Sequence, residues 1–168
     1  EGKQVLDEVS LCVNEGEFLM LVGPSGGGKT TLLKMINGLL TPDQGEVIIE
    51  GQDIKSWDIN KMRQGMGYVV QENSLFPHMN VFKNITYVPS LAGMSKEERK
   101  KRAEELIELV GLDDSYLSRY PRELSGGEAG RVNIGRGLGN SPKILLMDEP
   151  FSALDEYRRN ILQQEISE

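Results

Sequence analysis

A glycine-rich stretch near the amino terminus has the residue types and spacing of a phosphate-binding loop. Residues 23–30 read Gly-Pro-Ser-Gly-Gly-Gly-Lys-Thr and satisfy the pattern GxxxxGK[ST]. Glycines let consecutive backbone N–H groups converge on phosphate oxygens, and a following helix presents its positive end to the same anion. Lys29 can reach the β- and γ-phosphates of a nucleotide, and the Thr30 hydroxyl can bind Mg²⁺. The predicted nucleotide-binding residues here are Gly23, Pro24, Ser25, Gly26, Gly27, Gly28, Lys29, Thr30 and Thr31.

Two adjacent carboxylates follow a short apolar segment far downstream. Residues 144–147 predict a buried strand, and Asp148 and Glu149 come directly after it. The carboxyl ends of strands are where α/β sheets bind ligands. Asp148 therefore suits a Mg²⁺ ligand, and Glu149 suits a general base for the attacking water. Two acids that simply begin an exposed loop are the alternative interpretation.

A third motif lies between these two. Residues 124–128 read Leu-Ser-Gly-Gly-Glu and precede a helical pattern, so Ser125 and the amides of Gly126 and Gly127 predict a second anion site at a helix N-terminus. The string resembles the LSGGQ signature of ABC ATPases. That resemblance implies that this site completes the γ-phosphate pocket of a second subunit. Two ATP molecules would then be held between two subunits arranged head to tail.

Two further positions match the same family. Gln71 follows the apolar run 66–70, where the family has a glutamine that contacts Mg²⁺ or water and senses the membrane partner. Residues 152–155 resemble the family's D-loop, which places Asp155 at the dimer interface. Taken alone, Gln71 would be a surface residue and Asp155 a helix N-cap. The resemblance implies catalytic roles for Lys29, Gln71 and Glu149, and Mg²⁺ binding by Thr30, Gln71 and Asp148.

The elements that must position these residues alternate between strand and helix. Apolar periodicity predicts strands over 5–13, 18–22, 47–49, 66–70 and 144–147, a turn over 51–53, and helices after Lys29 and over 156–168. Between 72 and 139 the pattern is mainly helical, with an apolar stripe at Ala103, Leu106, Ile107 and Val110.

These elements predict an α/β fold in one domain spanning 1–168. The resemblance makes 1–71 and 140–168 a P-loop NTPase (RecA-like) core, and 72–139 the helical subdomain specific to ABC proteins. The family's switch histidine and its adenine-stacking aromatic residue have no match within 1–168. We therefore expect a domain truncated at both ends.

Composition narrows the class of protein. The formal net charge is −7 and the one basic run is 99–102, which argues against a nucleic-acid surface because phosphate contacts need clustered positive charge. No charged-then-apolar leader is present, and the apolar stretch 18–22 is far too short to span a bilayer. The single Cys12 lies in an alternating pattern, which predicts a buried core residue in a reducing compartment.

Finer resemblance points to the ATPase subunits of osmoprotectant importers, which serve glycine betaine, carnitine or choline. The segments that carry it are 35–37, 75–79, 88–89 and 116–121. It implies three partners: a second ATPase subunit, a membrane permease and, indirectly, a solute-binding protein. The location would be the cytoplasmic face of a prokaryotic membrane.

One alternative is a soluble ABC ATPase that acts on nucleic acid or ribosomes, although residues 1–168 show neither the coiled-coil insertion nor the tandem cassettes of that class. The other is a nucleotide-binding fragment without turnover.

The helix after the signature departs from the family pattern. Glu128 replaces the usual glutamine, and Gly135, Gly137 and Gly139 stand where the family has alanines. Each glycine inside a helix costs about 0.8–1 kcal/mol relative to alanine. The sequence alone gives no physical reason for these glycines.

Overall fold

The computed structural model describes residues 4–70 and 74–149. They form two compact units, one up to Ile59 and one that begins at Asn60. Whether residues 1–168 form one domain, with a core over 1–71 and 140–168 and a helical subdomain over 72–139, stays a prediction. The predicted helix over 156–168 lies outside the described residues. Among the described helices, none has the length and apolar character needed to cross a bilayer.

The first unit contains a helix and a small hairpin. Helix α1 spans Lys29–Ile36, strand β1 Ile48–Ile49 and strand β2 Gln52–Asp53, and a 3₁₀ turn follows over Ile54–Ser56. The two strands are antiparallel, and both residues of their turn, Glu50 and Gly51, have positive φ. Two such residues favour the tight turn that matches strand twist. The turn predicted over 51–53 was therefore misplaced, because Gln52 and Asp53 pair as a strand.

Two of the predicted strands are wrong. Residues 4–27 form neither helix nor strand, and the Phe18 and Val22 side chains are 48% and 86% exposed. A strand exists only where its N–H and C=O groups bond a neighbouring strand. The two ladders among the described residues join β1 to β2, and β3 (Met66–Val69) to β4 (Ile144–Met147). The prediction that Cys12 is buried is also wrong, since this thiol is exposed.

The second unit is built around a parallel strand pair. Helix α2 (Ile59–Gln64) leads into β3, which pairs in register with β4 from Met66↔Ile144 to Val69↔Met147. The ladder continues one step further, because the Asp148 N–H donates to the Val69 carbonyl at 2.8 Å. Both strands were predicted from their apolar runs. Their parallel pairing brings the chain after Val69 and the chain after Met147 to the same edge.

Helices fill the chain between these strands, as the sequence predicted. They are α3 (Val81–Ile85), α4 (Tyr87–Leu91), α5 (Lys96–Leu109) and α6 (Gly126–Leu138), with 3₁₀ turns at Asp114–Ser118 and Pro121–Glu123. The predicted stripe is confirmed, because Ala103, Leu106, Ile107 and Val110 are each at most 2% exposed. Burying a side chain such as Leu or Ile contributes about 1.5–3 kcal/mol, so this stripe fixes α5 in the core.

Close approach of α6 to its neighbours explains two of its three unexpected glycines. A Cβ at Gly137 would lie 2.6 Å from Val69 Cγ2, and one at Gly139 would lie 2.5 Å from the Ile85 carbonyl oxygen. Neither contact is possible unless a neighbouring atom shifts: the Val69 side chain at Gly137, and the backbone carbonyl of Ile85 at Gly139. A Cβ at Gly135, by contrast, would meet Ile85 and Val110 at ordinary distances of 3.6 and 3.7 Å. Nothing in the structure explains Gly135.

Alanine substitutions at two of these glycines should therefore change stability in opposite directions. Gly135→Ala should stabilise the fold by about 0.8–1 kcal/mol through helix propensity alone. Gly137→Ala gains the same propensity but forces overpacking against Val69, which costs about 1–3 kcal/mol. Thermal unfolding of the two variants beside the parent protein measures both effects. A Gly137→Ala variant as stable as Gly135→Ala would contradict the packing explanation.

Candidate functional site

The backbone of the predicted phosphate-binding loop turns sharply into α1. Gly28 is the N-cap residue with φ +84°, and an added Cβ there would lie 2.7 Å from Leu6 Cδ2 and 3.1 Å from the Val5 carbonyl oxygen. Both the dihedral angle and the space exclude a side chain. The loop is tightened by a hydrogen bond from the Gly27 N–H to the Pro24 carbonyl at 3.1 Å. Gly23 to Gly27 are exposed, so their backbone is open to a ligand.

The start of α1 is suited to an anion. Its first turn carries no acidic residue, and its first N–H groups, on Lys29, Thr30 and Thr31, have no intrahelical acceptor. The positive end of the helix dipole adds to these donors. Lys29 folds back over the loop and donates to the Gly23 and Pro24 carbonyls at 2.8 and 2.9 Å. The Lys29 ammonium group, the backbone of four glycines and two threonines, and a helix N-terminus thus lie within residues 23–31.

The predicted acid pair lies at the carboxyl end of the parallel strands. Asp148 is 6% exposed, and within the described ranges no hydrogen bond joins its carboxylate to another side chain. A carboxylate placed in this way retains its oxygens for a cation, and oxygen is the ligand that Mg²⁺ prefers. Burial, and secondly the charge of Asp148, raise the pKa of the nearby Tyr68 hydroxyl. Tyr68 therefore stays protonated beside Asp148 at neutral pH.

Glu149 has an unusual backbone. Its φ is +47°, a left-handed conformation that costs a non-glycine residue roughly 1–2 kcal/mol, and its side chain is exposed. Strain of this kind concentrates where a side chain must be aimed for function. The two acids lie in different environments. The Asp148 side chain is nearly buried, whereas the Glu149 side chain is exposed to solvent. This difference suits a metal ligand and a base for water, respectively.

The signature turn has a complete capping box. Ser125 is the N-cap of α6: its Oγ accepts from the Glu128 N–H at 3.3 Å, and Glu128 Oε2 accepts from the Ser125 N–H at 2.7 Å. Tyr116 OH donates to Glu128 Oε1 at 2.7 Å. The Ser125 N–H, and secondly the Tyr116 hydroxyl, lower the pKa of Glu128 to about 2. Glu128 is thus an ionised cap that fixes this turn. The signal that could have found it is the spacing Ser-x-x-Glu before a helix, which is the pattern of a capping box.

Two polar side chains of α6 bind the chain that leaves β3, and we call Asn133 and Arg136 the α6 clamp. Asn133 Nδ2 donates to the Val70 carbonyl at 3.2 Å. Arg136 donates to the Ser74 carbonyl and to Ser74 Oγ, each at 2.6 Å, and to Asn133 Oδ1 at 2.8 Å. Burial lowers the pKa of Arg136. No local pattern indicates this clamp, because its partners lie about sixty residues apart in the sequence.

The structure thus groups the predicted residues in two sets, one in each unit. The loop 23–28 and the start of α1 form the first set, and Asp148, Glu149 and the signature turn belong to the second. Gln71 and Asp155 lie outside the described residues, so their roles stay predictions. Among the described residues, no group of three or more His, Cys, Asp or Glu side chains is arranged to hold a metal ion by itself.

A glycine-rich loop at a helix N-terminus and a parallel strand that ends in two acids define a P-loop nucleotide-binding protein. Within that class, the chain belongs to the ABC transporter family, whose model matches residues 6–152. The structure resembles the dimeric post-hydrolysis state of the ATP-binding cassette MJ0796 bound to ADP and Pi. That match has a TM-score of 0.87 and 36% identity, and it covers 93% of this chain and 70% of that one. The predicted P-loop fold with an ABC cassette is confirmed.

Relatives in sequence include several transport proteins. The glycine betaine/carnitine/choline transport ATP-binding protein OpuCA of Bacillus subtilis is 46% identical over 98% of this chain and 43% of its own length. The glycine betaine uptake system ATP-binding protein YehX of Escherichia coli is 44% identical over 99% and 54%. The ergothioneine transport ATP-binding protein EgtV of Helicobacter pylori is 43% identical over 99% and 78%. The chain thus spans less than half of OpuCA, and its resemblance to osmoprotectant importer subunits is confirmed.

Proposed function

We propose that this chain binds ATP with Mg²⁺ and hydrolyses it, as the ATP-binding subunit of an importer. The observation that carries the proposal is the loop 23–28 at the start of α1. Its backbone donors, the Lys29 ammonium and the positive end of an acid-free helix turn converge where a triphosphate would bind. Membership of the ABC transporter family, and the ADP and Pi bound by the similar cassette MJ0796, support the same ligand class.

Each predicted site residue then has one task. Lys29 leaves the Gly23 and Pro24 carbonyls and donates to the β- and γ-phosphates, while the α1 amides bind the remaining oxygens. Thr30, Gln71 and Asp148 are the proposed Mg²⁺ ligands, and Mg²⁺ when bound neutralises charge on the phosphates. Glu149 accepts a proton from the attacking water. Thr31 and the loop residues position the nucleotide.

The proposed active form is a head-to-tail dimer. Ser125, Gly126 and Gly127 of one subunit would bind the γ-phosphate held by the loop of the other, and Asp155 would line the interface. Support comes from the free N–H groups in the first turn of α6 and from the dimeric state of the MJ0796 cassette. The ionised Glu128 caps this turn through Ser125, so the serine hydroxyl proton remains available to a phosphate oxygen.

The proposed cargo is a solute with a trimethylammonium group. Glycine betaine, carnitine, choline and ergothioneine appear in the names of the relatives described above, and all four compounds carry that group. A membrane permease would form the pathway, with this subunit at the cytoplasmic face, and a solute-binding protein would deliver the cargo indirectly. Nucleic acid is not a proposed partner, in keeping with the net charge of −7.

Reconstitution with the permease and the solute-binding protein tests this function. Proteoliposomes with internal Mg-ATP should accumulate labelled glycine betaine or choline, and accumulation should stop when ATP is replaced by ADP. Proline, a zwitterion without the trimethylammonium group, is the matched control solute. ATP-dependent accumulation of proline but of none of the trimethylammonium compounds would overturn the proposed cargo. Absence of Mg-ATP hydrolysis in the complex would overturn the ATPase.

A further inference from the structure

We propose that the Tyr116 hydroxyl fixes the Glu128 carboxylate in the cap of α6, so that the signature turn can bind a phosphate although it carries an acid. This inference rests on the proposed function, because it assigns a task within the head-to-tail dimer. Tyr116 acts through its hydrogen bond to Glu128 and not on a reacting atom. It is therefore a positioning residue.

The two helix starts that are proposed to bind phosphates differ in one respect. The first turn of α1 carries no acidic residue, whereas the first turn of α6 carries Glu128. An acid stabilises a helix N-terminus, and for the same reason it competes with an anionic ligand for the free N–H groups there. A signature turn that binds a phosphate therefore needs this carboxylate to be held in one place.

Both oxygens of the Glu128 carboxylate are bonded within the second unit. Oε2 accepts from the Ser125 N–H at 2.7 Å, and Oε1 accepts from the Tyr116 hydroxyl at 2.7 Å. The first bond uses the N–H of the N-cap residue and leaves the amides of Gly126 and Gly127 to a ligand. Because of the second bond, the carboxylate cannot turn toward those amides without the loss of a partner.

Tyr116 is itself held in place, as this task requires. Its ring packs against the core of the second unit, and the guanidinium carbon of Arg119 lies 3.7 Å from the ring centroid. The Arg119 carbonyl accepts from the Val81 N–H at 2.8 Å, which ties the segment to the start of α3. The hydrogen bond to Glu128 raises the pKa of the Tyr116 hydroxyl, so the phenol keeps its proton and remains the donor at neutral pH.

Charge is the property that separates Glu128 from the glutamine usual at this position. The two side chains have the same length, and the oxygen of either can accept from the Ser125 N–H. A hydroxyl bonds an ionised carboxylate more strongly than a neutral amide. A tether directed at the charge therefore matters only while residue 128 is a glutamate. This dependence is what a test must isolate.

Dimerisation with Mg-ATP tests the dependence on charge. In the Glu149→Gln variant, which should remain a dimer with ATP, the added change Tyr116→Phe should raise the dimer dissociation constant about tenfold, the loss expected for one hydrogen bond to a charged group. When Glu128→Gln is also present, Tyr116→Phe should change that constant by less than about twofold. Analytical ultracentrifugation over a series of protein concentrations measures each constant.

Tyr120 provides a matched control. It lies in the same segment, and the guanidinium carbon of Arg122 lies 5.9 Å from its ring centroid. Tyr120→Phe removes the same hydroxyl from the same kind of ring, but the tyrosine that bonds Glu128 is Tyr116. The control should leave the dissociation constant within about twofold of that of the Glu149→Gln variant.

Hydrogen exchange at Ser125 tests the tether without a nucleotide. Tyr116→Phe should raise the exchange rate of the Ser125 amide about fivefold or more, because the acceptor of that amide, Glu128 Oε2, is no longer fixed. Tyr120→Phe should leave the rate within about twofold of the parent protein. Equal rates in the two variants would overturn the tether. If Tyr116→Phe does not fold, Tyr116→Met removes the same hydroxyl, with the same two outcomes.

The dimer measurements separate this inference from the function on which it rests. Equal dissociation constants for Tyr116→Phe and Tyr120→Phe would overturn the positioning role. An undiminished loss from Tyr116→Phe in the presence of Glu128→Gln would also overturn it, because the carboxylate charge would then be irrelevant. A Glu149→Gln variant that stays monomeric with Mg-ATP would refute the proposed dimer, and exchange at Ser125 would still decide the tether.

Discussion

Replacement of Lys29 by alanine should reduce ATP affinity about 10- to 150-fold, since a hydrogen bond to a charged group contributes about 1.5–3 kcal/mol. Lys29 directly follows the loop 23–28 and provides its cation. Its ammonium donates hydrogen bonds to the Gly23 and Pro24 carbonyls, inside the turn that would surround the phosphates. The first turn of α1 contributes only partial charges. Without the lysine, the triphosphate loses its one full positive charge from this loop.

Lys34 is the matched control for this substitution. It is the basic residue in the last turn of the same helix, at the opposite end of the dipole. Lys34→Ala removes the same charge and the same side chain but should leave ATP affinity within about twofold, because a cation in the last turn of α1 makes no hydrogen bond to phosphates held at the first turn. Titration calorimetry with Mg-ATP measures both variants. Equal losses in the two variants, or no loss at Lys29, would refute the phosphate-binding role of the loop.

The parts of the fold that could be predicted from sequence share one physical basis. The strands β3 and β4 and the stripe on α5 are continuous or periodic apolar patterns. The stripe is buried in the core, and the strands contribute the buried side chains of Val69 and Leu146. A local pattern predicted these elements because each apolar surface also has a partner: β3 pairs with β4, and the stripe on α5 lies in the core. The acid pair was predicted for a similar reason: a strand that ends in two acids delivers them to the edge of the sheet. Its pairing with β3 confirms that placement.

The predictions that failed required knowledge of a neighbour. Residues 18–22 have the composition of a strand, but composition does not supply a partner with free N–H and C=O groups. Helix propensity alone made Gly137 and Gly139 look destabilising. In the structure, Val69 and the Ile85 carbonyl leave too little room for a side chain at these two positions. Contacts between residues that are distant in sequence decided each case.

Function-related contacts were missed for the same reason. Asn133 and Arg136 read as polar positions on a helix, and nothing local connects them to Val70 or Ser74. Tyr116 lies in a segment noted only for its family resemblance, yet its hydroxyl holds Glu128. A motif specifies the residues that touch a ligand. The residues that hold the motif in place become visible only in three dimensions.

Glu149→Gln should keep ATP binding and reduce hydrolysis about 10²- to 10⁴-fold, the range for loss of a general base. Glutamine has the size of glutamate and can still bond water, but it cannot accept the proton of that water. The Cβ is unchanged, so the left-handed backbone at this position carries the same strain. The phosphate loop is untouched, and nucleotide affinity should stay within about threefold of the parent value. Because turnover would normally separate the subunits, Mg-ATP should hold the variant as a dimer.

Glu50 is the control that isolates chemistry from charge and conformation. It is an exposed glutamate with φ +50°, close to the +47° of Glu149, but it lies in the turn between β1 and β2. Glu50→Gln should hydrolyse ATP at the parent rate and elute as the parent does from size exclusion with Mg-ATP. Glu149→Gln should elute as a dimer under the same conditions and return to the parent elution when ATP is replaced by ADP. A Glu149→Gln variant with normal turnover would exclude this glutamate as the base, because no other change was made to the site.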